Sequence, residues 1–240
     1  MRSDPDAVLL DLDGTLVDTE GLWWEAVAAV AGRLGRRLGP DDVPHVRGRT
    51  AIDTAAHLLH TTPTPPATAL PPDTAPPATA PLPDAKAPDG GAPDDRVPVE
   101  CLAGRLVDAF AERLARDVPV LPGARELLAG LAAASIPTAL VTASPRRVVD
   151  LVLPRLRHSF HLVIADGDTA RGKPYPDPYL EAARRLGTSP ARCVAVEDSP
   201  AGIAAATSAG CRVLAVTPRS GLPSAHHVRT FASPRGETLR

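Results

Sequence analysis

Aromatic side chains make up only 3% of this 240-residue chain, and there is a single Met. With so few rings the core has to be assembled mainly from Ala, Val and Leu, within an ordinary hydrophobic content of 44%. Cysteine is scarce as well. Cys101, Cys193 and Cys211 are odd in number, widely spaced and in no CxxC pattern, which argues against a disulfide framework and for a reducing compartment. Net charge is close to nil, −2 with a pI near 6.4, so nothing points to nucleic acid or an anionic membrane as partner. Local basic groups such as Arg33, Arg36 and Arg37 read as a solvated helix face. The apolar run that follows MRSDPD is too short for a signal peptide or a membrane span, and a cytoplasmic protein is the expectation.

What is abundant is proline, and it is concentrated. Between Thr61 and Pro98 there are 12 prolines in 38 positions, with Ala, Thr and Asp supplying most of the rest. Such a stretch has too few large apolar groups to offset its ordering entropy, and reads as a disordered or polyproline-like insert. PTPP at Pro63 to Pro66 fits a PxxP pattern but is expected by chance there, so the tract reads as spacer rather than docking segment.

Elsewhere, short apolar runs alternate with helical patterns. The runs are Ala7 to Leu10, Pro137 to Val141, Leu162 to Ala165, Arg192 to Val196 and Arg212 to Val216, each continuous and bounded by polar or turn residues. That is the signature of strands buried on both faces, and the intervening helices imply right-handed crossovers in an open α/β sheet. Ser144-Pro145, Asp177-Pro178 and Ser199-Pro200 each predict a helix start with a capping side chain followed by proline. The segment after the first strand breaks the alternation: Gly21 to Arg37, Ala51 to His60 and Val99 to Arg116 read as helices, the last with Leu102, Leu106, Phe110 and Leu114 near one face. The expected organisation is a core from 1–18 and 118–220, a helical cap at 19–117 interrupted by the insert at 61–98, and a flexible tail at 221–240.

Four segments carry chemistry, each at the carboxyl end of an expected strand or in the loop beyond it, where open α/β sheets bind ligands. In Asp11-Leu12-Asp13-Gly14-Thr15, two like charges close a buried strand, an arrangement that costs stability unless a cation or a proton sits between them. If ionised beside a cation, Asp11 can attack phosphorus and Asp13 could protonate a leaving oxygen, while Gly14 permits a sharp turn and Thr15 can bond the carboxylates. In Val141-Thr142-Ala143-Ser144, Thr142 is a candidate for a phosphoryl oxygen and Ser144 for a helix cap. In Gly172-Lys173-Pro174, Lys173 would offset the negative charge. In Val196-Glu197-Asp198-Ser199, the paired acids join Asp11 and the backbone carbonyl of Asp13 in an oxygen-rich site suited to Mg2+.

In that order, DLDGTLVDTE, VTAS, GKPYPDPY and VEDSPAGI resemble the four motifs of the haloacid dehalogenase superfamily, most like its beta-phosphoglucomutase-like and phosphoglycolate-phosphatase-like branch. The resemblance spans nearly the whole chain except the proline tract and the tail. It implies a Rossmann-like core with an inserted helical cap and Mg2+-dependent phosphoryl transfer on a small phosphorylated metabolite by a monomer. Asp11 then resembles the nucleophile and Asp13 the general acid/base. Thr142, Ala143 and Lys173 resemble the phosphate-binding positions, and Glu197 and Asp198 the metal acids alongside Asp11 and Asp13. Arg47, Gly48 and Arg49 resemble a substrate-side loop, with Arg49 the candidate contact; a solvated loop is the other reading.

Asp13 argues against dehalogenation, which releases halide and needs no proton, and the near absence of Lys from the cap argues against Schiff-base phosphonate cleavage. Sugar-phosphate mutases similar to this chain carry His where Trp23 stands, which favours transfer to water over a mutase. A non-catalytic interaction protein is the remaining alternative. Trp23 and Trp24 either pack the cap or line the pocket. His57 and His60, three apart on one expected helix, read as surface residues rather than zinc ligands, and His226-His227 as part of the unstructured tail.

Overall fold

The structure is a computed structural model and describes residues 4–60, 97–216 and 221–231. The proline-rich insert thus lies outside the described residues except for its last two positions. Strand β1 (Ala7–Leu10) leads into helices α1 (Glu20–Arg33), α2 (Val43–Val46), α3 (Ala51–His60), α4 (Val99–Arg116) and α5 (Ala124–Ala133). There follow β2 (Thr138–Pro145), α6 (Arg146–Leu156), β3 (Leu162–Asp166), α7 (Asp177–Arg185), β4 (Cys193–Glu197), α8 (Pro200–Ser208), β5 (Arg212–Ala215) and α9 (Ala225–Phe231).

All strand pairs are parallel and the order is β3-β2-β1-β4-β5. β1 is therefore central, with Leu10 opposite Leu140 on one side and Val196 on the other. The chain reverses its direction of winding at β1, and the crevice beyond such a switch point is where open α/β sheets hold their ligands. Because side chains alternate along a strand, β1 serves two cores. Val8 and Leu10 pack with α4, α5 and α6, whereas Ala7 and Leu9 pack with α7 and α8. Tyr179 is the largest fully buried side chain and leucines fill the next places, as a ring-poor composition requires.

Between β1 and β2, α4 buries Leu102, Leu106, Phe110 and Leu114 against α1 and α3 and also touches α6. Each such leucine withdrawn from water contributes about 2 kcal/mol. Helix α3 starts at Ala51 because Thr50 caps it: its hydroxyl accepts from the Asp53 amide at 3.1 Å and donates to the Asp53 carboxylate at 2.9 Å.

Several local expectations are corrected. Ser144 does not cap a helix, because β2 runs on through Pro145 and α6 starts at Arg146 without a side-chain cap. Asp177 is the first residue of α7, with Pro178 second, and its carboxylate is engaged by Arg171 at 3.0 and 3.1 Å. Ser199 does cap α8, accepting from the Gly202 amide at 3.0 Å. Within the stretch expected to be a flexible tail, 225–231 form α9, which includes His226 and His227 and packs against α5.

Arg36 and His57 are not surface groups. Arg36 is 6% exposed, 2.5 Å from Asp42, and His57 Nε2 lies 2.7 Å from the same carboxylate oxygen. Burial of Asp42 favours its neutral form, but the Gly39 amide, His57 and Arg36 outweigh that and hold the carboxyl below its usual range. Its stabilising contribution is therefore complete above the unfolded-state value near 3.8 and fades as pH falls through the lower folded value. Asp42→Ala strands a buried guanidinium and is expected to cost about 3 kcal/mol. Urea denaturation at pH 7 checks this, and the double variant Arg36→Met/Asp42→Leu should cost less than Asp42→Ala alone.

Candidate active site

The carboxyl edge of the sheet gathers the four chemical segments because β1 is flanked by β2 and β4, and the loop after β3 folds back over them. Lys173 enters from that loop, its side chain only 5% exposed. Its Nζ lies 2.6 Å from Asp11 Oδ1 and 2.5 Å from Glu197 Oε1. Burial by itself would strip the ammonium of its proton, yet Asp11 and Glu197 more than reverse this and hold Lys173 above its ordinary value.

Around this ion triplet the packing is close. The Tyr179 hydroxyl donates to Glu197 Oε1 at 2.5 Å and the Ser199 hydroxyl to Oε2 at 3.2 Å. Gly202, in the first turn of α8, lies against the Glu197 carboxylate where any Cβ would collide with it. Gly14 has φ +84° and equally little room, since a Cβ there would strike the Asp198 carboxylate. Thr15 donates to Asp198 Oδ1 at 3.2 Å, so the turn after β1 is locked to the acid after β4.

Asp13 points to a different set of partners. Thr19 donates to its Oδ1 at 2.6 Å, Ser144 to Oδ2 at 2.7 Å, and Thr142 lies 3.4 Å from Oδ2. Thr142 also accepts from the Ser144 amide at 2.9 Å.

One oxygen in this crowded site has no partner, for Asp11 Oδ2 is buried without a hydrogen bond. An orphaned carboxylate oxygen in the interior is costly unless something positive comes to it. Asp11, Glu197 and Asp198 each offer an oxygen within 4.8 Å of the others, a donor set of hard oxygens that fits a divalent metal ion. The Asp13 carboxylate, expected among the metal-site residues, is outside this group, because it points to Thr19, Ser144 and Thr142 instead. Burial first, then Glu197, push the Asp198 carboxyl up to about 6. Asp11 is raised well above the ordinary carboxylate range by burial, Lys173 opposing and the neighbouring acids adding to it.

These groups open onto a cavity of about 410 Å³, lined also by Ala143, Arg49 and Trp23. Arg49 Nε donates to the Pro44 carbonyl at 3.0 Å. Thus all the expected site residues meet around one cavity except Glu197, which stands buried behind Lys173. Sequence reasoning missed Thr19, Tyr179 and Gly202. Tyr179 lay in view within GKPYPDPY and Gly202 within VEDSPAGI, but nothing in their spacing told that they face Glu197.

Fold and site together define an α/β enzyme with an acid cluster fitted for a divalent ion at the switch point of its sheet. The chain belongs to the haloacid dehalogenase-like hydrolases, whose family pattern matches residues 5–210. It is 30% identical over 227 residues to hexitol phosphatase A of Escherichia coli (strain K12), covering 92% of this chain and 87% of that protein. It is 27% identical over 228 residues to the bifunctional riboflavin kinase/FMN phosphatase of Arabidopsis thaliana, covering 94% of this chain but only 51% of that longer protein. Among solved structures, CbbY from Rhodobacter sphaeroides in complex with phosphate superposes with a TM-score of 0.69 at 26% identity, covering 89% of this chain and 86% of that one.

The charge of this acid cluster is linked to protons. Asp198, raised to about 6, favours the folded state while it is neutral; that contribution is complete below about 3.8 and is lost as pH rises through about 6. A divalent cation held by Asp198 would have to displace the proton, so its affinity would grow over the same interval. The rise in Tm on adding a divalent cation is therefore expected to be large at pH 8 and to shrink towards zero at pH 5, as measured by differential scanning calorimetry.

Proposed function

We propose that the protein is a Mg2+-dependent phosphatase that cleaves a small phosphorylated metabolite through an aspartyl-phosphate on Asp11. The observation that carries this reading is the asymmetry of Asp11: Oδ1 is bound to buried Lys173 and Oδ2 is bare, beside a second carboxylate held by three hydroxyls. In this proposal residues 1–18 and 118–220 carry the reacting groups and 19–117 form a cap over them. Asp11, Glu197, Asp198 and the Asp13 carbonyl would hold Mg2+, which supplies charge to offset the phosphoryl oxygens.

Asp11 attacks phosphorus as the bond from phosphorus to the leaving oxygen breaks. Asp13, as general acid, gives a proton to that oxygen, and the alcohol departs. Asp13, now ionised, takes a proton from water as the water oxygen attacks phosphorus, releasing inorganic phosphate and restoring Asp11. Lys173, Thr142 and the Ala143 segment bind phosphoryl oxygens in both steps, and Arg49 contacts the leaving group.

Transfer to water is favoured over return to a bound sugar phosphate because the Trp23 Nε1 is committed to the Val46 carbonyl at 2.9 Å, and indole nitrogen is a donor only. In this proposal the working unit is a monomer. Its cysteines are unpaired, and burial pushes Cys193 and Cys211 up to about 11 and 12, which suits the reducing cytoplasm. No helix among the described residues is long and apolar enough to cross a membrane.

With Mg2+ the purified protein is expected to hydrolyse p-nitrophenyl phosphate, and Asp11→Asn to lower kcat by at least about 10³-fold with the fold intact by circular dichroism. An active Asp11→Asn enzyme would refute the nucleophile assignment. Asp13→Asn should lose activity comparably against substrates with poor leaving groups and less against p-nitrophenyl phosphate, whose leaving oxygen needs little protonation. Isomerised sugar phosphate among the products would instead reveal a mutase.

A further inference from the structure

Trp23 lines the cavity from α1, and two contacts fix its ring. Its Nε1 donates to the Val46 carbonyl at 2.9 Å, and it meets Phe110 edge-on, the ring centroids 5.4 Å apart and the planes inclined at 75°. With the nitrogen engaged, what the indole offers a bound molecule is carbon surface and a π face. Val107 and Phe110 of α4 extend that surface, and Pro200, Ala201 and Ala204 of α8 supply apolar wall from the sheet side. Polar groups apart from the reacting end include Glu20 of α1 and, from the loop and first turn that lead into α3, Arg49, Thr50 and Asp53. The Val46 carbonyl that holds Trp23 immediately precedes that loop, so the ring and the polar edge are fixed relative to each other.

A phosphomonoester with its phosphoryl group at Asp11 must place its leaving group in the remainder of a cavity of about 410 Å³. An acyclic polyol carries hydroxyls on all sides, and pressing them against carbon walls leaves some unpaired, at a cost. A ring with one carbon-rich face and polar edges meets both kinds of wall at once. Resting on the phosphatase reading, we propose that Trp23 is a specificity-determining residue and that the substrate is a ring-bearing phosphomonoester whose leaving group packs its apolar face on the indole and turns its polar edge to Arg49, Thr50 and Asp53.

The test compares kcat/KM with Mg2+ for glucose 6-phosphate, a nucleoside 5′-monophosphate and glycerol 3-phosphate. The wild-type protein is expected to prefer at least one ring-bearing ester over glycerol 3-phosphate by about tenfold or more. Trp23→Ala should lower that preference ratio by about 10- to 100-fold, mostly through KM, the size expected for removing an aromatic packing surface. Trp23→Phe, which keeps a ring but loses the N–H, should retain most of the ratio; should Trp23→Ala fail to fold, Trp23→Gln replaces it. A ratio unmoved by Trp23→Ala or Trp23→Gln, or a wild-type preference for glycerol 3-phosphate, overturns the inference while leaving the phosphatase reading intact. Release of no phosphate from any ester, p-nitrophenyl phosphate included, overturns both.

Discussion

A buried ammonium shared by two buried carboxylates is the interaction on which the rest of this structure depends. Asp11 and Glu197 end neighbouring strands, both are nearly inaccessible to water, and without Lys173 the fold would bring two like charges together in its interior. Such an arrangement costs several kcal/mol per ion unless geometry and hydrogen bonds compensate. The surroundings supply that compensation: Tyr179 and Ser199 donate to Glu197, Ser199 in turn starts α8, and Gly202 allows the helix to come close. One elementary charge cannot balance Asp11, Glu197 and Asp198, and the residual negative charge with a bare Asp11 oxygen is what makes the edge a place for a cation.

Asp13 is handled by other means. Two residues from Asp11 along the chain, it is held by hydroxyls rather than by an ion, and those hydroxyls come from the end of β2 and from Thr19 at the start of α1. The helical region is thereby tied to the reacting edge by its first residue. Farther out, Arg36, Asp42 and His57 form a second buried ionic cluster that pins the segment between α1 and α3 and so steadies the loop carrying Arg49. A fold poor in aromatic rings uses these two clusters, and the few rings it has, at the places where position matters most.

The strands and the long helices were legible from the chain because their signals are local. Ala7 to Leu10 is an uninterrupted apolar run, and α3 and α4 have the bounds that their periodicity predicts. The errors arose where a side chain had a choice of partner. Ser144-Pro145 carries a cap signal, but Asp13 lies within reach of that hydroxyl and the strand continues instead. Arg36 and His57 carry no mark of burial in their neighbours, and only packing decided that Asp42 would join them.

The types and order of the four motifs, and with them the family, were determined by sequence alone, because each stands at the end of a locally encoded strand or in the loop beyond it. What tertiary structure decided is which oxygens are bound and which are bare: that Lys173 takes Asp11 Oδ1 and leaves Oδ2, that Tyr179 holds Glu197, that Trp23 gives its nitrogen to Val46 and its face to the cavity. These are contacts between residues far apart along the chain, set by strand order and helix packing, and no short stretch of sequence contains them.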